Sequence, residues 1–159
     1  MASDPDWPRW LFASVSKHFL DRRGLLTFYI EGQERNVPAP SDLLEFRMDG
    51  PYETEINRNY WKLFIEVSIL IQSTKDGADF HKIHRHCGQV AAAFTSIPIY
   101  KYGDGPLDDQ SMLGCMTLVQ DIGKRERIQI NHFGQIAPDT PLMQSSVEGH
   151  YEMYLNTTN

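Results

Sequence analysis

The sequence predicts an α+β fold, a mainly antiparallel sheet flanked by an N-terminal helix and a second helix, and three observations carry that prediction. Trp61, Leu63, Ile65, Val67, Ile69 and Ile71 all fall on odd positions, with Lys62, Glu66, Ser68 and Gln72 among the even ones, the period-two pattern of a strand. Two other segments place their apolar residues at helical spacing. The elements then run α-β-β-β-α-β-β-β-β, without the regular βα alternation that builds a parallel sheet. At 159 residues the chain has room for one domain with a sizeable core and too little for two.

The first helix spans about 7 to 20. Asp6 is placed to cap it, Pro8 suits the first turn, and Trp7, Trp10, Leu11, Val15 and Phe19 follow helical spacing. Arg22 and Arg23 sit where the helix dipole is negative, and Gly24 suits a left-handed cap. A strand over 25–31 follows, then an exposed connection with two prolines, GQERNVPAPSD. Leu44, Phe46 and Met48 alternate with Glu45, Arg47 and Asp49, and Gly50-Pro51 is read as the stop of that strand. The strand that begins at Trp61 would reach roughly 40 Å over twelve residues at about 3.3 Å each, long enough to outrun its own domain and pack on another subunit. Phe80, Ile83, Cys87, Val90, Ala91 and Phe94 form the stripe of a second helix, about 79 to 95. Strands over 97–102, 113–119, 127–133 and 147–155 complete the chain, with Gly103-Asp104-Gly105-Pro106 and Gly123-Lys124 as turns.

Composition bounds the function. Hydrophobic residues at 41% and charged residues at 23% are those of a globular chain. Fifteen Lys+Arg against 21 Asp+Glu leave a net charge of -6, the wrong sign for gripping nucleic acid through its phosphates. Most of the excess lies between Asp42 and Asp79. Cys87 and Cys115 form no CxxC pair, which argues against a disulfide scaffold or cysteine-rich zinc site and for a reducing compartment. The acidic, aromatic start MASDPDWPRW lacks the basic and then apolar pattern of a secretory leader, and no 18-residue apolar run appears.

His81, His84 and His86 lie beside Cys87, and imidazole and thiolate are good zinc ligands. At about 100° per residue, however, His86 points away from His84 on a helix, so the cluster reads as structural and no metal or other cofactor is expected. Histidine-triad and two-histidine phosphoesterase patterns are not met, since only His84-Arg85-His86 alternates. Nucleophile-elbow, phosphate-loop and dinucleotide motifs are absent. Asp108-Asp109 are adjacent carboxylates in a polar loop, which point apart in extended chain. Lys124, Arg125 and Arg127 form the one basic cluster and read as a charged turn that keeps strand edges soluble. The Trp7/Trp10 pair and the Tyr100/Tyr102 face suit core or subunit contact, where aromatic residues are enriched.

WPRWLFASVSKHF, YIEGQ, FRMDGPY, WKLFIEVSILIQS, IPIYKYGDG and INHFGQIAPDT…SSVEGHYEMYL follow one another in this order. That layout resembles the tail terminator and tail-completion proteins of tailed bacteriophages. The resemblance implies a non-enzymatic virion protein of the tail or neck, made in the host cytoplasm, that forms a hexameric ring. Its implied partners are the tail tube protein and a head-side connector protein, with DNA passing through unbound. The candidate interface residues are Trp7, Trp10, Trp61, Leu63, Ile65, Tyr100, Tyr102, Asp104, Lys124, Arg125 and Arg127. The rival readings are a head-side adaptor or stopper ring and, from another class, a small metal-dependent hydrolase using His81 and His84.

Overall fold

A computed structural model describes residues 5–35, 38, 40–74, 81–102, 111–119, 128–136 and 141–156. The elements in chain order are α1 (Trp7–Asp21), β1 (Thr27–Ile30), β2 (Leu43–Asn57), β3 (Tyr60–Thr74), α2 (His81–Ala92), β4 (Ile97–Tyr100), β5 (Met112–Leu118), β6 (Ile128–Gln135) and β7 (Leu142–Asn156). Their order is the one that the sequence pattern predicts. The strands form one sheet in the order β1-β2-β3-β7-β5-β4, and β6 also pairs with β7.

The alternating segment is the spine. β3 pairs with β7 in unbroken antiparallel register from Tyr60↔Asn156 to Thr74↔Leu142, and its other edge pairs with β2. Leu63, Ile65, Val67, Ile69 and Ile71 are at most 1% exposed. They face one layer made of both helices, which contributes Leu11, Val15 and Phe19 from α1 and Ile83, Cys87 and Val90 from α2. Each such side chain contributes about 1.5–3 kcal/mol by leaving water. Phe46 is the aromatic hub, with ring centres 5.9 Å from Phe12, 5.8 Å from Phe19 and 6.0 Å from Phe28.

Five of the six described strand pairings are antiparallel, and the sheet is mixed because β1 runs parallel to β2; the connection through 31–42 is long enough to return the chain to the same end of the sheet. Three expectations need correction. Gly50-Pro51 does not stop β2, which continues to Asn57 through a cis peptide at that bond and a register shift between Asp49 and Tyr52. Proline is tolerated there because β1 pairs only as far as Phe46, leaving the Pro51 region on an open edge and at a bulge. The apolar row of β3 does not outrun its domain: the chain's own helices and β7 bury it from Leu63 onward. Asp6 does not cap α1 through its side chain; its carboxylate lies 3.4 Å from Arg9 instead. Gly24 does take the left-handed conformation, at φ 63. The second helix begins, among the described residues, at His81, and 79–80 lie outside them.

α1 also closes one edge of the sheet. Trp10, Ser14 and His18 form an i, i+4, i+8 row. Trp10 Nε1–H donates to Tyr102 O at 2.7 Å, Tyr100 N–H donates to Ser14 Oγ at 3.0 Å, and His18 Nε2–H donates to Ala93 O at 2.8 Å. A helix thereby supplies hydrogen-bond partners to backbone at β4 and its two ends, blunting that edge against further pairing. At the opposite end of the core, Asp42 binds Ser73 Oγ at 2.7 Å and Lys82 Nζ at 2.8 Å, tying β2, β3 and α2 together. Burial alone would raise the Asp42 pKa, but the Lys82 and Ser73 hydrogen bonds outweigh it and hold the carboxyl below its ordinary value.

Gly149 sits opposite Val67, and a Cβ built there would come within 2.7 Å of the Phe94 ring, which stacks on the buried Tyr151 at 6.2 Å. Gly88, exposed within α2, has nothing within 4 Å of a Cβ. Gly149→Ala is therefore expected to destabilise by about 1–3 kcal/mol through overpacking, and Gly88→Ala to stabilise by about 0.5–1 kcal/mol through helix propensity. Urea unfolding of the two variants beside the parent checks both signs.

Candidate functional site

The surface that distinguishes this chain is its pair of open strand edges. Beyond Phe46 no described strand pairs with the side of β2 away from β3. From Tyr52 to Asn57 every β2 residue is exposed whichever face it points to, so among the described residues no layer covers that half of β2. Tyr52 is 56% and Ile56 50% exposed. Across the sheet, β6 pairs with β7 on one side and with no described strand on the other. It shows Ile130 at 41% and Phe133 at 59% exposure, with Ile136 at 44% just past its end. The two edges differ in sequence and in height, because β6 lies along 143–149 of β7 and the open half of β2 lies across β3 from 148–156.

The sheet face away from the helices is polar and acid-rich. Glu45, Asp49, Glu66, Glu148 and Glu152 share it with Arg47 and Lys62. Lys62 Nζ lies 2.6 Å from Glu152; the hydrogen bond that the ammonium donates to that carboxylate raises its pKa against burial. Tyr60 stacks on Tyr154 at 5.5 Å and Phe64 on His150 at 5.5 Å, so aromatic cross-strand pairs stiffen the uncovered part of the ribbon.

The interface residues expected from sequence separate into four groups. Leu63 and Ile65 are 1% and 0% exposed inside this chain's own core, and Trp10 is 3% exposed; none offers side-chain surface to a partner. Trp7 and Trp61 are half-buried and pack on the core, with Trp7 edge-on to Trp10 at 6.1 Å. Tyr100 and Tyr102 are half-buried and line, with Ser14, Lys17 and Arg22 among others, a groove of about 290 Å³ between α1 and β4. Asp104, Lys124, Arg125 and Arg127 lie outside the described residues, as do Asp108 and Asp109. The open half of β2 was missed because Gly50-Pro51 was read as a stop. The alternation of Tyr52, Thr54 and Ile56 with Glu53 and Glu55 is the signal that finds it.

The helical phases separate the histidines as expected. His81 is exposed beside Lys82 and Arg85, and His86 is 7% exposed. His84 leaves the helix on another side and meets a histidine far along the chain, His132 of β6, with ring centres 4.4 Å apart. His132 Nδ1 lies 2.8 Å from Ser145 Oγ. No group of three His, Cys, Asp or Glu converges among the described residues. Cys87 is buried and Cys115 half-buried, both as free thiols; burial pushes the Cys87 thiol pKa up. No helix of the described residues is long and apolar enough to cross a membrane.

Comparison with known proteins adds no family. No protein-family model matches the sequence, and no curated protein matches it. A solved structure aligns over 91% of this chain and 94% of its own, at 12% identity and a TM-score of 0.49, a likeness that carries no argument about function.

Burial lowers the pKa of both His86 and His18, and neither His86 ring nitrogen has a hydrogen-bond partner among the described residues. With folded pKa values below the unfolded one, the unfolded chain binds more protons, so stability is complete above about pH 6.5 and falls as pH drops from there through the folded values. The melting temperature is expected to decline between pH 7.5 and 5.5. His86→Leu should flatten that decline, which thermal unfolding across the pH series checks; an unchanged slope would exclude His86 as its source.

Proposed function

We propose that this chain is a ring-forming structural subunit of a tailed-phage virion, a tail terminator that caps the tail tube and joins it to the head. The observation that carries the reading is the presence of two unlike open edges on opposite sides of one sheet. A ring closes through heterologous contacts, in which one patch of each subunit meets a different patch of the next. Pairing the open half of β2 with β6 of a neighbouring copy supplies that contact through backbone hydrogen bonds, and the difference in height between the edges is the stagger that a closed, tilted sheet requires.

The acid-rich sheet face supports the same reading. Carboxylates on a surface beside passing DNA disfavour binding to its phosphates, which suits a conduit. The sequence layout supports the particular place in the particle, at the junction of tail and head. Among the described residues no group of three His, Cys, Asp or Glu converges on His81 and His84.

The test uses one variant for each edge. Tyr52→Glu with Ile56→Glu places charge on the β2 edge, and Ile130→Glu with Phe133→Glu places it on the β6 edge. Each protein is expected to fold with a melting temperature close to the parent's and to remain monomeric where the parent forms rings on tail tubes. Mixed together, the two variants retain one good edge each and should stop at a heterodimer by mass photometry. Rings formed by either variant alone would reject the edge contact. In phage lacking the protein, filled heads and unjoined tails of irregular length are expected; leaking heads with normally terminated tails would instead place the subunit in a head-side connector.

A further inference from the structure

The His84–His132 contact lies where α2 meets β6, on the strand that carries one of the two edges described above. Helix α2 turns Ile83, Cys87 and Val90 inward, which leaves His84 exposed on the side that looks toward β6. On β6, His132 lies opposite Ser145 of β7. The rings meet edge to face, at an interplanar angle of 68°, on a pocket of about 370 Å³ whose walls include Ile83, Phe133 and Met143.

Ser145, 1% exposed, lies behind His132 with its Oγ 2.8 Å from Nδ1. In the tautomer that donates Nδ1–H to this oxygen, Nε2 of His132 keeps its lone pair. An imidazole oriented by a hydrogen bond at one nitrogen, with the other free to donate electrons, is the form that metal-binding histidines take.

We propose that His84 and His132 bind one divalent transition-metal ion of the zinc, nickel or copper(II) type, which clamps α2 to β6. Zinc–nitrogen distances of about 2.0–2.1 Å set two bound imidazole centres roughly 5 Å apart, close to the separation here, so a small ring rotation admits the ion. The protein supplies two nitrogen ligands and water completes the shell. Nitrogen donors favour these ions over magnesium and calcium, which take oxygen ligands. Cys87 stays a buried thiol on the far side of Ser145 and is not a ligand. Both ligands belong to one chain, so the site forms without a second copy.

Chelator-treated full-length protein titrated with zinc chloride and nickel chloride at pH 7.5 tests the site by calorimetry and thermal unfolding. One ion per chain is expected, with a higher melting temperature because the ion bridges two elements only in the folded state. Magnesium chloride should give neither effect. His84→Gln, an exposed substitution that leaves the core intact, is expected to abolish both signals, as is His132→Gln. Ser145→Ala should weaken zinc binding about 10- to 100-fold by freeing the ring orientation. In imidazole nitrogen NMR spectra, zinc should shift only His84 and His132. Absence of binding by the parent, or binding that survives His84→Gln unchanged with shifts at other histidines, overturns the proposal and leaves an adventitious ion only.

Discussion

The fold depends on the fifteen-residue antiparallel pairing of β3 with β7. A strand shows alternate faces, so one register decides the environment of every side chain in both strands. Here it places Leu63, Ile65, Val67, Ile69 and Ile71 beside Met153, Tyr151, Gly149, Val147 and Ser145, all buried and all under the helices. A slip of one residue would turn Lys62, Glu66 and Glu148 inward at the cost of burying charges. The one position in this row without a side chain, Gly149, is where the Phe94 ring enters. Tyr151, next in the row, donates its O–H to Thr95 O at 2.9 Å, so that a buried hydroxyl is satisfied where the chain leaves α2.

Such long strands create edges, and the molecule treats them unequally. The β4 edge is closed by α1 through Trp10, Ser14 and His18. The inner half of β2 is covered by β1. The outer half of β2 and the outer side of β6 carry no described strand, and apolar side chains sit along them. Natural sheets ordinarily blunt an open edge because it invites pairing. Two edges that carry no described strand at opposite sides of one sheet, with a third closed by a helix, are the basis of the ring contact proposed above.

The histidines show how one helix distributes a local cluster. His81, His84 and His86 fall within six residues, yet His81 and His86 line one pocket with Lys82 and Arg85, His86 at 7% exposure, while His84 meets β6. The distant His132 thereby becomes a neighbour of His84 alone among the three. The buried member costs stability as pH falls, and the exposed member at the His132 contact carries the donor pair that a metal can use.

Local sequence determined the element order, the two helices and the buried face of β3. Each follows from a repeat of 2 or 3.6 residues that the chain carries whatever surrounds it. It also separated the three helix histidines, because phase along a helix is local. Pairing partners were decided only by the tertiary structure. Nothing in TFYI or in LLEFRM states that they run parallel, since strand direction depends on where a loop returns the chain. Pro51 looked like a terminator because a proline removes a donor, but that loss matters only where a neighbour strand needs the donor, and no described strand adjoins the outer half of β2. Leu63 and Ile65 looked like surplus apolar length until both helices and β7 closed over them. The meeting of His84 with His132, across 48 residues of chain, rests on the β6–β7 register and on the packing of α2, which no local repeat encodes.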